Sequence, residues 1–399
     1  MGNEMNIQHN RAHDLNADDI EELTQWRRDI HRHPEVSGEE IRTAAAVAAM
    51  LEKTNPTQII SSIGGHGVSA IYDSGIAGPR VLLRCELDGL PIQDLADIPH
   101  RSIVEGKGHQ CGHDGHMAIL AATARLLGLK GPATGAVILM FQPAEEDGSG
   151  ARKVVDDPAF AKLAPDYSFA IHNMPGRPFG TVDIIDGPAC CASRGLTLTL
   201  TGKTAHASQP ETGISPMHAI SELMPRLTSF SSPLGTPLDD PGFRMITVTH
   251  VNMGAAVFGV APGKAHLFAT LRTLTNDDMS GLVQRVEALA KSIAADEGLD
   301  LQIDYQDVFV TCSNDAEAAD IVRTAMDDLG IPHGPGILPI RASEDFGHFG
   351  ETSRAAILLL GSGDNLPALH NPDFDFPDEL IPIGAKIFMQ ILHRTLNAN

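Results

Sequence analysis

The chain has 399 residues, 42% of them hydrophobic and 20% charged, the balance of a globular protein long enough for two domains of roughly 100–200 residues each. A formal charge of −22 at pH 7 argues against nucleic acid or an anionic membrane as partner, and one Trp with three Tyr offers little surface for stacking bases. No apolar run reaches the ~20 residues of a membrane span, no basic-then-apolar leader is visible, and five cysteines are an odd number for a disulfide framework, so a reducing, cytoplasmic setting is expected.

The first predicted helix opens at Asn16, has Asp18 and Asp19 in its first turn, repeats Leu23, Trp26 and Ile30 at helical spacing, and ends near His33-Pro34. An Ala-rich helix follows over about residues 39–53. Short apolar runs at 68–72, 81–85, 137–141 and 168–171 then read as strands buried on both faces, with a helical run at 117–129 among them. That alternation predicts an α/β fold with a doubly wound, mostly parallel sheet. Asp88, the Glu145-Glu146 pair and His172 fall just beyond predicted strand ends, the rim where open α/β sheets gather their sites.

The pattern changes after Cys191. Residues 196–200 alternate as in a half-exposed strand, followed by a helix at about 216–230 and strands at 245–251 and 265–272. A helix at 279–296 and a strand at 301–305 complete a β-α-β-β-α-β order, the ferredoxin-like split pattern. Residues 192–306 are therefore read as an inserted domain, and 1–191 with 307–399 as a discontinuous main domain. The main domain resumes with a strand at 355–360 and closes with a helix at 383–396.

The chemistry concentrates in Cys111-Gly-His113-Asp114-Gly-His116, where a thiol and two imidazoles stand at a helix start. Such a cluster suits zinc or another late transition ion. Glu145 and Glu146 could be a solvated loop, but they follow a buried strand and Pro143, and adjacent side chains diverge. One carboxylate can then hold a metal while the other serves a water as base. His172 and His370 read equally as satisfied histidines or as ligands. Cys111, His113, Glu146, His172 and His370 together exceed the three ligands of a mononuclear catalytic site and suit two ions about 3.5–4 Å apart.

These motifs resemble the zinc-dependent aminoacylase and carboxypeptidase family, in its hippurate hydrolase and indole-acetyl-amino-acid hydrolase branch. The matching segments are Arg32-His-Pro-Glu35, Leu87-Asp-Gly-Leu-Pro91, the Cys111 cluster, Phe141-Gln-Pro-Ala-Glu-Glu146, Gly202-Lys-Thr-Ala-His206-Ala-Ser208, Ser343-Glu-Asp-Phe346 and His370-Asn-Pro-Asp-Phe374. The resemblance implies that Cys111, His113, Glu146, His172 and His370 are the metal ligands, Glu145 the general base and acid, and Asp88 an outer carboxylate that orients a ligand. It further implies that the insert is a lid and dimerisation domain whose His206 stabilises the oxyanion in the partner's site. Arg272 would hold the substrate carboxylate, a task for which a guanidinium fork is suited. One departure stands out: Gly259 occupies a lid position where the family usually has Asn, so the substrate clamp is expected to differ.

The expected activity is hydrolysis of an N-acyl amino acid to a carboxylic acid and a free amino acid by a dinuclear metal site. Zn²⁺ is the first choice, and Mn²⁺, Co²⁺ or Ni²⁺ could fill the same shell. The same chemistry could serve a dipeptidase, a carboxypeptidase or a xenobiotic amide hydrolase. A non-catalytic metal-binding module is the competing class, disfavoured because Glu145 is dispensable for holding metal. The expected partners are the small-molecule substrate and a second copy of the chain, in a homodimer or a tetramer.

Overall fold

The computed structural model describes residues 15–396. Among them the chain separates into two compact units, one formed by residues up to Ala189 with Ser313–Leu338 and the segment from Asp345 on, the other by Cys190–Cys312 with Pro339–Glu344.

In the first unit, helix α1 (Ala17–Arg32) starts with a reciprocal capping box between Asn16 and Asp19, which satisfies two otherwise unpaired N–H groups. Helix α2 (Ile41–Glu52) follows, then strands β1 (Gln58–Ile63), β2 (Gly67–Asp73) and β3 (Arg80–Glu86). Helix α3 (His113–Leu129) leads into β4 (Ala136–Gln142), every residue of which is buried. Short helices α4 (Gly150–Val155) and α5 (Pro158–Ala161), strand β5 (Tyr167–Pro175) and the short β6 (Val182–Asp183) and β7 (Gly187–Cys190) end this pass.

The second unit contains β8 (Ala192–Thr201), the short β9 (Ala205–His206), α6 (Met217–Thr228) and β10 (Arg244–Met253). Short β11 (Val260–Ala261), β12 (Lys264–Thr273), α7 (Asn276–Asp296) and β13 (Asp300–Phe309) complete it. Its four long strands form an antiparallel sheet in the order β10-β12-β8-β13. Alternate residues of β12 (Ala265, Leu267, Ala269, Leu271) and the stripe Met279, Leu282, Val286, Leu289 and Ile293 of α7 fill one core with α6. Period two on the strand meets period 3.6 on the helix, the ferredoxin-like solution read from the sequence.

The chain returns to the first unit through β14 (Cys312–Asn314), α8 (Ala316–Leu329) and β15 (His333–Gly334). Strand β16 (Arg354–Gly363) and helix α9 (Leu380–Leu396) close it. The eight-stranded sheet runs β1-β2-β4-β3-β5-β16-β6-β15. Its centre, β4-β3-β5-β16, is parallel throughout, with antiparallel β1 and β2 on one side. This is an α/β fold built on a large, mostly parallel sheet. Strand sequences such as Val137-Ile-Leu-Met-Phe141 supply apolar groups to both faces at once, and α3 and α9 cover one of them. Truncating one such side chain, Leu139→Ala for example, removes about 2–5 kcal/mol. All five cysteines are buried and none is in a disulfide, in keeping with the sequence reading.

Candidate active site

The parallel strands set the site. Two residues beyond β3 stands Asp88, and three beyond β4 stands Glu145. His172 lies inside β5 instead of beyond its end, because β16 pairs with β5 as far as Pro175 and keeps the strand extended. Helix α3 begins at His113, and Gly112 before it takes φ 87°. A Cβ at Gly112 would lie 2.4 Å from Asn173 Oδ1, so only glycine fits between Cys111 and His113. His370 also has a left-handed backbone, φ 66°, and its N–H donates to the Gln110 carbonyl at 2.9 Å, which fastens it beside Cys111.

These loops bring together every expected ligand and the expected base. Cys111 Sγ lies 3.5 Å from His172 Nε2. His113 Nε2 lies 3.8 Å from Glu146 Oε1 and 4.0 Å from Glu145 Oε2, and His370 Nε2 lies 3.8 Å from Glu146 Oε2. Within each of the sets Cys111-His113-His172, Cys111-Glu146-His370 and His113-Glu145-Glu146, the donor atoms lie within 4.8 Å of one another.

The imidazoles are oriented for coordination. His113 Nδ1 faces the Asp88 carbonyl at 2.8 Å and His172 Nδ1 faces the Asn173 carbonyl at 2.8 Å. Donation from Nδ1 leaves an Nε2 lone pair aimed at the cluster, the arrangement of metal-ligating histidines. His113 Nε2 is buried with no hydrogen-bond partner among the described residues, a costly state that a bound cation would remove. Burial, and then neighbouring His116, push His172 down to about 3, so it is a neutral donor. Burial, and then Glu146, push the Cys111 thiol well up, which is the condition a metal ion reverses. Thiolate, imidazole and carboxylate donors of this geometry fit divalent transition ions, with Cys111, His113, Glu146, His172 and His370 as the residues that would hold them.

His116, the last residue of the motif, has both nitrogens engaged. Nδ1 meets Glu86 Oε2 at 2.6 Å, and Nε2 accepts the Asn173 N–H at 3.0 Å. Asp88, fully buried, accepts at Oδ2 from Ser37 Oγ (2.7 Å) and from the Glu146 N–H (3.0 Å). Burial opposes its charge, but the His113 ring beside it holds the carboxyl below the usual carboxylate range.

Two buried networks that sequence reasoning missed lie under this rim. Arg84, fully buried in β3, donates to Glu86, to Gln142 Oε1 (2.8 Å) and to Asp345 Oδ1 (2.7 Å). Asp345 in turn accepts from Gln142 Nε2 (2.8 Å) and from the Ala151 N–H (2.8 Å), so one carboxylate grips both ends of the loop that carries Glu145 and Glu146. In the other network, Asp114 accepts from Arg27 (2.8 Å) and faces His31 (2.9 Å), anchoring the start of α3 on α1. The available signal was a charged residue inside an apolar run, as in Val81-Leu-Leu-Arg84. A buried charge requires a partner.

His206, Arg272 and Gly259 belong to the second unit. His206 is exposed, pairs with Val260 across β9 and β11, and accepts at Nδ1 from the Ser208 N–H at 3.1 Å. Arg272 donates to the Arg341 carbonyl and to Ser343 Oγ, both at 2.9 Å. The Gly259 carbonyl accepts the Ala207 N–H at 3.1 Å, and a Cβ on Gly259 would meet nothing within 4 Å.

The sequence pattern of peptidase family M20/M25/M40 matches residues 82–394, a span that holds Asp88, Cys111, His113, Glu145, Glu146, His172 and His370. The chain is 29% identical to a hippurate hydrolase of Campylobacter jejuni over 93% of its own length and 95% of that protein. It is 31% identical to the IAA-amino acid hydrolase ILR1-like 2 of Arabidopsis thaliana, covering 92% and 83% of the two chains. Among solved structures, the Bacillus subtilis YXEP protein, described as a dinuclear metal binding peptidase, superposes with a TM-score of 0.77 at 25% identity, over 95% of this chain and 98% of that one. With a match over most of its length and named hydrolases among its relatives, the chain belongs to peptidase family M20/M25/M40 and is an enzyme of its amide-hydrolysing hippurate and IAA-amino acid hydrolase branch.

Proposed function

We propose that the enzyme cleaves N-acyl amino acids to a carboxylic acid and a free amino acid at a dinuclear metal centre. The observation that carries this reading is the position of Glu145, a nearly dry carboxylate 4.0 Å from His113 Nε2 in the middle of the donor cluster. Divalent ions bound there would acidify a water and polarise the amide carbonyl. Glu145 takes the proton as that water's oxygen bonds to the carbonyl carbon. It then hands the proton to the amide nitrogen as the C–N bond breaks, so that one carboxylate serves as base and acid in turn. Asp88 keeps His113 in place and, through the Glu146 N–H, fixes the carboxylate next to the base.

The substrate class rests on the relatives: hippurate and IAA-amino acid conjugates are both acyl groups on an amino acid nitrogen. The thiolate and imidazole donors favour Zn²⁺, with Mn²⁺, Co²⁺ and Ni²⁺ as the alternatives to test by reconstitution. A homodimer with His206 supplied by the partner completes the reading, and five cysteines outside any disulfide suit a reducing cytoplasm. The deciding experiment is Glu145→Gln assayed on a panel of N-acetyl, N-benzoyl and longer N-acyl amino acids beside dipeptides. Turnover should fall by roughly 10²–10⁴-fold with metal content unchanged, whereas Glu146→Ala should lose metal. Loss of metal from Glu145→Gln would exchange the two roles. Faster hydrolysis of dipeptides than of acyl amino acids would replace the substrate class.

A further inference from the structure

The loop that carries the base has an unusual backbone. Ala144, immediately before Glu145, is buried and adopts φ 52°, a conformation that glycine takes freely and alanine does not. The turn is also compressed: the Gly150 N–H donates to the Ala144 carbonyl at 2.9 Å, and a Cβ on Gly150 would lie 1.7 Å from the Pro143 carbonyl oxygen. Such strain persists only where its surroundings hold it.

What holds it comes from the far side of the chain. Glu40, fully buried, accepts the Ala144 N–H at Oε1 over 2.8 Å across a separation of 104 residues, and the same oxygen accepts the Gly38 N–H at 2.9 Å. Glu40 is the N-cap residue of α2, where an acidic side chain ordinarily binds its own helix, yet its side chain makes no capping bond. That duty falls to Glu35, whose carboxylate takes the Arg42 N–H (3.1 Å), the Thr43 N–H (2.8 Å) and Thr43 Oγ1 (2.9 Å). With the helix end satisfied by Glu35, the Glu40 carboxylate is left to reach the strained residue.

We propose that Glu40 is a positioning residue that locks Ala144 in its left-handed conformation and thereby aims Glu145 at the reacting centre. The proposal rests on the assignment of Glu145 as the base. A displaced base lowers the rate of proton transfer more than it weakens substrate binding, and a misplacement of ~1 Å costs about 100-fold in favourable cases. Glu40→Ala should therefore lower kcat by about 10–100-fold with KM within about twofold and full metal content. Glu40→Gln, which keeps an acceptor for the Ala144 N–H, should stay near wild type. The specific test is Glu40→Ala combined with Ala144→Gly: glycine needs no lock at positive φ, so the double variant should recover most of the lost kcat.

Recovery in the double variant, with metal content equal in all samples, supports the lock. A metal-replete double variant as slow as Glu40→Ala, or Glu40→Gln as slow as Glu40→Ala, overturns it. Where Glu40→Ala does not fold, Glu40→Met keeps the volume without the acceptor and carries the same two outcomes. Glu145→Gln measured alongside separates the two levels of argument. If Glu145→Gln retains turnover, the assignment of the base has failed. If it is inactive while Ala144→Gly rescues nothing, only the lock has failed.

Discussion

Asp345→Ala is a substitution for which the site's geometry supports a large stability cost. Its carboxylate, fully buried, pairs with Arg84 at 2.7 Å and accepts from Gln142 Nε2 and the Ala151 N–H, each at 2.8 Å. Removing one partner of a buried ion pair costs about 3–5 kcal/mol, because the other charge remains in the interior. Two orphaned donors add about 1–3 kcal/mol each, although three interactions on one carboxylate are not additive. Arg84 keeps Glu86 and Gln142, which limits the damage. The expectation is a loss of about 5 kcal/mol, comparable to the whole stability of a marginal domain. Asp345→Asn preserves an acceptor and should lose roughly half as much. Urea unfolding followed by fluorescence isolates the relevant unit, because Trp26, the only tryptophan, lies on α1 and packs against the first unit's core. A loss below about 1 kcal/mol for Asp345→Ala, or equal losses for the two variants, would refute the account of Arg84 as a charge that depends on this partner.

Other outcomes follow from single groups. Cys111 should resist alkylation in the metal-loaded enzyme and react after chelation, so equal labelling in the two states removes it from the ligand set. For His31, burial opposes protonation but Asp114 raises it to about 9 from an ordinary 6.5. A raised folded value means that its stabilisation is complete below pH 6.5 and disappears as pH climbs through 9, a decline on the order of 3 kcal/mol at most. His31→Gln should flatten that part of the Tm–pH curve, and an unchanged curve refutes the assignment. If His206 acts across a homodimer, mixing inactive Glu145→Ala and His206→Ala subunits should restore about a quarter of wild-type activity, since half the dimers carry one competent site. A mixture that stays inactive after proven subunit exchange rejects the shared site.

Much of the scaffold is legible because burial on both faces leaves uninterrupted apolar runs, as in β4, and because helix ends announce themselves, as at Asn16. Helix α8 carried equally readable ends, with the Asp315 side chain capping its start and Gly330 left-handed at its finish, and its buried positions Ala318, Val322, Ala325 and Met326 recur at helical spacing, yet it was missed. The return of Pro339–Glu344 to the second unit has no local signature, since it is set by contacts such as Arg272 with the Arg341 carbonyl. At the site, Cys111, His113 and the glutamate pair were legible through residue type and spacing. Glu40, Arg84 and Asp345 were not: Arg84 and Asp345 stand 261 positions apart, and nothing local distinguishes a buried acid from a solvated one. Gly112 belongs to the same group, as its need for glycine arises from Asn173 across the sheet.

The interrupted course of the first unit has a consequence for biosynthesis. When the ribosome has released residue 312, the second unit is nearly whole and can collapse on its own core, because only Pro339–Glu344 is outstanding. The first unit then holds β1 to β5 with no β16 along the open side of β5 and no α9 over α3. The parallel edge of β5 stays uncovered until another 51 residues have emerged, through Gly363, and the apolar face of α3 until another 84, through Leu396. His370 arrives in that same late stretch, so under the proposed assignment the nascent chain would present Cys111, His113, Glu146 and His172 to a metal ion before the fifth donor exists. Metal added during translation would meet an incomplete shell, and a chaperone that shields the β5 edge would act in that interval.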